Sequence, residues 1–542
     1  MTRRKPNDFG DLDYADRSSL TTMLRKGATR RDAMRMLMAA GLSVTASGLI
    51  VSSATTALAN TPKRGGRLKM AIDSHGPDDQ LDPANFRATV DYFRGRMFYG
   101  SLTRLQEDLS YAPELAEEVI PNDDATEWTF KLRKGVEFHN GKTMTADDVL
   151  YSMNRHIGPD TVSAGASLVS MIKEWTKVND HEVKAILDRP NADLPIALGT
   201  FHFKILPDGY SDFSTTTIGT GPYKVKEFKP GVRCIGARFD NYWEDGGYLD
   251  ELEHFGIGDP VARVNALLNG DVDAIGAVSP KAIGTVEAAD GISLWALKSG
   301  GFINIAGRVD TGPGENQHVI MALKHLQDRN RVVKGVLKGH GSLGNDQPIG
   351  PAYFDHCPDI PQRELDLDKA KWHFEQSGIG NTEIPITAAE IGAGVVEMAT
   401  STQREAEKIG MNVTVKKVAP DGYWSAVWLK DPFCVVRWNP RPTANIMMSL
   451  TLHSDAKWNE SYWKNEQFDQ LLTDVLAVTD PAKRKQMYCD MQTLVHETGG
   501  TILPAHLDYV DAAADYVKGR TYVPLNHFGG AESPPTLWRD DA

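Results

Sequence analysis

The sequence predicts an α/β protein built as more than one lobe, and three observations carry that expectation. The first is length: 542 residues exceed what one hydrophobic core organises, so two or three domains are expected. The second is the stretch 128–155. There Trp128, Phe130 and Leu132 alternate with Thr129, Lys131 and Arg133, the two-residue period of a half-buried strand. Lys134-Gly135 turns the chain, Val136 and Phe138 resume the alternation, and Asn140-Gly141 marks a second turn. Thr145-Ala146-Asp147-Asp148 then reads as a capping box opening a helix with Val149, Leu150 and Met153 on its apolar face. The third observation is a helix from Gln403 to Ile409 that ends at Gly410 and passes into a strand from Met411 to Val418, the αβ layering of a second lobe.

Composition narrows the class. Apolar residues make up 41% and charged residues 24%, as in soluble globular chains. The formal net charge is -13; residues 1–59 hold nine of the 59 basic and five of the 72 acidic side chains, which leaves the remainder at -17. So acidic a chain is not expected to bind nucleic acid or an anionic membrane. Cys234, Cys357, Cys434 and Cys489 are far apart and form no CxxC pair, so metal-ligand spacing is absent. They permit up to two disulfides, with three complete pairings, or buried free thiols.

Taken in order, residues 1–29 are polar, charged and without periodicity, and no structure is expected there. Arg30-Arg31-Asp32-Ala33-Met34 then precedes a mildly apolar, Gly/Ser/Thr-rich run from Met36 to Ala59 that ends in Ala57-Leu58-Ala59, an A-x-A cleavage signal. Paired arginines ahead of a weakly hydrophobic core resemble a twin-arginine export signal, with Arg30 and Arg31 as the pair, Ala33 where Phe is usual, and Ala59 as the last residue removed. A membrane anchor is the alternative; the run is long enough, but Gly, Ser and Thr interrupt it. No cysteine follows the cut, so a lipid anchor is not expected, and the processed chain is expected in the periplasm, soluble and monomeric.

Gly65 to Ala71 opens a strand, and Tyr92 to Leu102 is helical by spacing, ending at Gly100. Gly219-Thr220-Gly221-Pro222-Tyr223 fixes a sharp turn, and the alternation after it predicts a hairpin. Ala266 to Ala274 reads as helix, turn, strand. Asn316 to Leu337 predicts a helix pair broken near Asp328, a plausible N-cap. Leu365 to Gln376 and Phe468 to Val478 are helices, Asp480-Pro481 starts another that runs to His496, and Thr501 to Val510 is a strand.

These stretches carry a resemblance. FKLRKGVEFHNGKTMTADDVLYSMNR, Leu81-Asp82-Pro83, Gly219-Thr220-Gly221-Pro222-Tyr223 with its trailing Tyr242-Trp243, and Ala266 to Ala274 are similar, in order, to the motifs of the family 5 extracellular solute-binding proteins. That is the group of dipeptide-, oligopeptide- and nickel-binding proteins of ABC importers. The resemblance covers essentially all of the processed chain. It implies a periplasmic-binding-protein-like α/β fold with two lobes and a two-crossing hinge. Lobe one is expected from residues 60–300 plus 505–542, including an extra β-rich subdomain at about 105–205, and lobe two from 301–504. It also implies capture of a small-molecule or peptide solute, delivery to an ABC permease complex in the inner membrane, no cofactor and no covalent chemistry.

Two tempting motifs are refused. Gly339-His340-Gly341-Ser342-Leu343-Gly344 is a literal GxGxxG, but it follows a helix instead of joining strand to helix. Gly141-Lys142-Thr143 has its upstream glycine, Gly135, one residue out of register for a phosphate loop. GxSxG and HExxH are absent, which speaks against the rival reading, a secreted bilobed hydrolase. A nickel- or haem-binding member of the same family is the other alternative.

For a solute site the strongest stretch is Val436-Arg437-Trp438-Asn439-Pro440-Arg441-Pro442. In peptide binders of the family the equivalent tryptophan is followed by an aspartate that pairs with the peptide α-amino group. Asn439 and Arg441 occupy that neighbourhood here, and a guanidinium fork suits a carboxylate or phosphate instead. Tyr92 borders the cleft in relatives, and Trp424, Trp458 and Asn459 fall in parts that face it. The candidate solute contacts are therefore Tyr92, Trp424, Arg437, Trp438, Arg441, Trp458 and Asn459.

Overall fold

The computed structural model describes residues 30–39, 47, 61–73, 76–392 and 394–541. Gly65–Asp541 form one compact unit, distinct from Met1–Arg64 with Ala542. In the latter, Arg30 and Arg31 open the helix Arg30–Ala39; Ala59 and most of the apolar run before it lie outside the described residues. Among the described residues no helix is long and apolar enough to cross a membrane.

An 11-stranded mixed sheet runs through the compact unit. Its strands lie in the order Val413–Lys417, Ile384–Ala388, Phe433–Trp438, Ile292–Gly307, Thr501–Ala514, Ala274–Ile275, Arg67–Ile72, Glu251–Gly256, Arg233–Arg238 and Tyr223–Lys229; Gly341–Leu343 pairs with Thr501–Ala514 outside that line. Both faces are covered, because successive side chains point to opposite sides. Phe433 and Val435 enter one apolar core with Ile303 and Ile384. Cys434, Val436 and Trp438 enter the opposite one with Phe302 and Met447. In the other half of the sheet Met70 and Ile72 meet Phe93 and Phe98, while Ala71 meets Val264 and Leu267.

The two halves are tied by Ile292–Gly307 and Thr501–Ala514, strands of 16 and 14 residues that pair antiparallel. Their register breaks between Lys298 and Phe302. Gly300 sits in that break against the Tyr353 ring, where an added Cβ would lie 2.4 Å from a ring carbon. Only a residue without a side chain fits there.

A separate antiparallel sheet orders Ala116–Pro121, Glu127–Leu132, Glu182–Leu187 and Ile172–Asn179. Trp128, Phe130 and Leu132 are buried in its own core, as their alternation predicts. The second strand expected at Val136 and Phe138 does not form. One isolated bridge, Glu137 to Thr143, closes a tight turn instead, with the Phe138 N–H donating to the Lys142 carbonyl at 2.8 Å and Gly141 at φ 84°. The chain enters the helix Ala146–Asn154 directly afterwards and leaves no residues for a ladder. That helix starts as its sequence predicts, with the Asp148 carboxylate accepting the Thr145 N–H at 2.8 Å.

Other boundaries follow local chemistry. Asn316 caps Gln317–His325, and Asp328 accepts the Arg331 N–H at 3.0 Å where the expected break occurs. Past that cap a single α-helical turn, Arg329–Arg331, runs directly into a π-helical turn, Val332–Val336. Asp480 accepts the Lys483 N–H at 2.8 Å at the start of Pro481–Thr498. The helix predicted from Gln403 begins earlier, at Val395, and ends at Glu407. Cys357 and Cys489 form a disulfide, whereas Cys234 and Cys434 are buried thiols.

Candidate functional site

A cavity of about 720 Å³ opens between the two halves of the sheet. Its walls come from several separate parts of the chain. Arg87 and Tyr92 stand at the start of the helix Thr89–Phe98; Phe201 and His202 follow from the loop behind the small sheet. Arg437, Asn439 and Arg441 come from the end of the strand Phe433–Trp438, and Tyr509 and His527 from the C-terminal part.

Each side chain is held by its local structure. Tyr92 stacks on Phe201 with ring centroids 3.9 Å apart, and burial, with the Asp91 charge second, pushes its hydroxyl up to about 12. It is a neutral hydroxyl at any physiological pH. The His202 ring donates from Nε2 to the Phe86 carbonyl at 2.9 Å, which leaves Nδ1 as an acceptor, and burial lowers its pKa. His527 donates from Nδ1 to Asp511 at 2.6 Å, since a carboxylate can only accept, and the other Asp511 oxygen takes the Phe528 N–H at 2.6 Å. Tyr509 packs edge-on to that ring at 4.6 Å.

Arg441 is fixed on a loop stiffened by Pro440 and Pro442. Its backbone N–H donates to the Tyr353 hydroxyl at 3.1 Å, and that hydroxyl donates back to the Arg441 carbonyl at 2.8 Å. Nη1 binds the carbonyls of Asn439 and Pro440, each at 3.1 Å, which leaves the rest of the guanidinium for other acceptors. Burial lowers its pKa, with only tyrosines as nearby acidic groups. Among the described residues no carboxylate lies within 4.0 Å of the guanidinium of Arg87, Arg437 or Arg441, although the Arg87 backbone N–H donates to Asp91 at 3.0 Å. Among the described residues Asp73 is the single acidic residue of the cavity wall. The cavity is therefore cationic and offers fork-shaped donors, the chemistry that recognises carboxylates and phosphates.

The predicted contacts divide into three groups. Tyr92, Arg437 and Arg441 line the cavity together. Trp424, Trp438 and Trp458 meet elsewhere, in a cluster completed by Trp428: Trp428 lies 5.6 Å from Trp424, 6.1 Å from Trp438 and 6.1 Å from Trp458, and Trp438 lies 6.0 Å from Trp458. Arg441 joins the two, its guanidinium 5.7 Å from the Trp438 ring centre. Asn459 belongs to neither. It is buried, and its amide donates to the carbonyls of Trp463 and His453 at 2.7 and 3.3 Å, so its polar group holds a turn. Arg87, His202, Tyr509 and His527 lie on the cavity wall without having stood out in the sequence, because no periodicity or motif marks them.

A family model for bacterial extracellular solute-binding proteins, family 5 (middle), matches residues 110–460. The heme-binding protein A of Haemophilus influenzae is 25% identical over 459 residues, covering 77% of this chain and 82% of that protein. The dipeptide-binding protein of Escherichia coli is 24% identical over 504 residues, covering 84% and 92%. Among solved structures, HbpA2 from Haemophilus parasuis superimposes with a TM-score of 0.77 at 21% identity, over 88% of this chain and all of that one. The fold is thus the two-lobed α/β fold of those proteins. The matched region spans the small sheet, the register break of the long strands and the Arg437–Arg441 segment, and on that ground the chain belongs to the bacterial extracellular solute-binding proteins, family 5.

Proposed function

We propose that this protein captures a small solute bearing a carboxylate or similar anionic group between two lobes and delivers it to an ABC permease of the inner membrane. The observation that supports this most directly is the convergence of Arg87, Arg437 and Arg441 on one cavity wall, their guanidinium groups without a carboxylate partner among the described residues. Lobe one comprises residues 60–300 and 505–542, with the small sheet as a subdomain at about 105–205; lobe two comprises 301–504. The chain is exported through its Arg30-Arg31 signal, is cut after Ala59 and works in the periplasm as a monomer, binding without turnover. The relatives are named for heme and for dipeptides. Asn439 in place of a carboxylate beside Trp438 favours a solute that is not held by a peptide α-amino group at that point.

The test is a thermal-melt screen of the chain from Asn60 against peptides, amino-acid derivatives, opines, sugars and metals. A solute at about a hundred times its dissociation constant stabilises by roughly 2.7 kcal/mol, a shift of a few degrees. Arg437→Ala and Arg441→Ala are each expected to weaken an anionic hit by about 1.5–3 kcal/mol, the worth of a charged hydrogen bond. Hits confined to uncharged solutes, with both variants binding normally, would overturn the reading.

A further inference from the structure

We propose that Trp424, Trp428, Trp438 and Trp458, with Glu460 held at the Nε1 edges of Trp428 and Trp438, form a subsite for a cationic group of the solute, an ammonium or a guanidinium. This deepens the solute-capture reading and rests on it. Glu460 is 4% exposed and lies at the Nε1 edges of Trp428 and Trp438. One carboxylate oxygen accepts from Asn304 Nδ2 at 2.7 Å; the other accepts from Trp428 Nε1 at 2.8 Å and Trp438 Nε1 at 3.1 Å. Three N–H donors on two oxygens suit the ionised, acceptor-only form. All three donors are neutral, and among the described residues no Lys, Arg or His lies within 4.0 Å of this carboxylate. A buried negative charge without a positive partner is costly, and burial accordingly raises its pKa.

The rings offer what an organic cation needs. Trp424 stands at 86° to Trp428, and Trp458 at 54°, so the three rings make a corner and not a stack. Trp424 is 48% and Trp458 43% exposed, so their outer faces contribute nothing to the core. A cation against such faces is attracted by the ring quadrupoles, and here also by the buried charge at the edge of the neighbouring Trp428 and Trp438. The Arg441 guanidinium already lies over Trp438, at the border with the arginine-lined cavity. A solute spanning both places would carry its anion toward the arginines and its cation toward the tryptophans.

Tryptophan fluorescence of the full chain, titrated with choline and with its uncharged carbon isostere 3,3-dimethylbutan-1-ol, tests this. Choline is expected to quench saturably, with the isostere roughly ten-fold weaker. Glu460→Gln should remove most of that preference. Trp424→Ala and Trp458→Ala, both at half-exposed positions, should each weaken choline several-fold and guard against a misfolded Glu460 variant. Choline and isostere titrating alike, or choline binding unchanged in both tryptophan variants, would overturn the subsite. The melt screen judges the capture of a solute separately: no hit there would count against that reading, whereas a solute hit with choline and its isostere titrating alike would remove the cation subsite alone.

Discussion

Asp355 is buried beside the Arg484–Asp193 ion pair, and burial first, then the Asp193 charge, raises its pKa from 3.8 to about 8. The folded chain therefore keeps a proton that the unfolded chain releases between those values. Stability from this group is complete below pH 3.8, falls as pH rises toward about 8, and is level above it. Asp355→Asn holds the neutral form throughout. It is expected to leave the Tm unchanged near the acid end of that window and to raise it by several degrees above the upper end. Melts across the range check this; a difference independent of pH would refute it. Nothing in Phe354-Asp355-His356 announces such a group, because the residues that shift it come from distant parts of the chain. The same holds for the candidate site. Arg441 and Trp438 were legible from a short unusual segment, whereas Glu460 and Trp428 acquire meaning only when folding brings them under one roof. Asn459 was misleading for the converse reason: a polar residue beside exposed aromatics turned out to be bonding a turn.

Elements were more legible than sites, since caps and turns depend on neighbours in sequence. Asp148, Asp328 and Asp480 each accept the backbone N–H that their positions imply. Where tertiary pairing decided the outcome, as at Val136 to Phe138, alternation alone was insufficient. The Gly219–Tyr223 turn shows why some motifs carry geometry and no chemistry. The Gly221 N–H donates to the Phe98 carbonyl at 3.0 Å, and an added Cβ would stand 2.4 Å from the Phe98 carbonyl carbon. Backbone cannot yield as a side-chain tip does, so Gly221→Ala is expected to lose about 2 kcal/mol or more in urea unfolding, with a proportionate drop in midpoint. A midpoint equal to the parent's would show that the backbone at Phe98 gives way freely. The disulfide acts at the same scale, pinning Cys357 to the helix Pro481–Thr498. The pairing was open in the sequence because four cysteines leave several possibilities. Cys357→Ser with Cys489→Ser should lose about 2–4 kcal/mol, and reductant should lower the parent's stability by a similar amount while leaving the double variant unaffected.

At the scale of the molecule, the register of the two long strands breaks at Lys298–Phe302, and contacts between residues before and after that break tie the two regions together. Those contacts are specific. The Ala192 N–H donates to the Leu476 carbonyl at 2.8 Å, and the Phe354 N–H to the Asp108 carbonyl at 2.9 Å. Leu105, Leu109 and Ile196 share an apolar core with Met447 and Leu472. The buried Arg484–Asp193 pair joins the same two regions. Removing one member of a buried pair strands the other and costs about 3–5 kcal/mol, here charged against the closed form alone. Asp355 complicates the experiment, since its carboxyl could ionise and take Asp193's place beside Arg484. Asp193→Asn is therefore best made on Asp355→Asn, where neither carboxylate remains. Small-angle scattering without solute should then give a larger radius of gyration than Asp355→Asn alone, and a solute found in the melt screen should restore the smaller value. Because closure now draws on the solute's binding energy, its affinity should fall, at most by the roughly 100- to several-thousand-fold that about 3–5 kcal/mol represents. An unchanged radius together with an unchanged affinity would mean that the pair stabilises the fold equally in open and closed forms, and that closure is governed by the cavity itself.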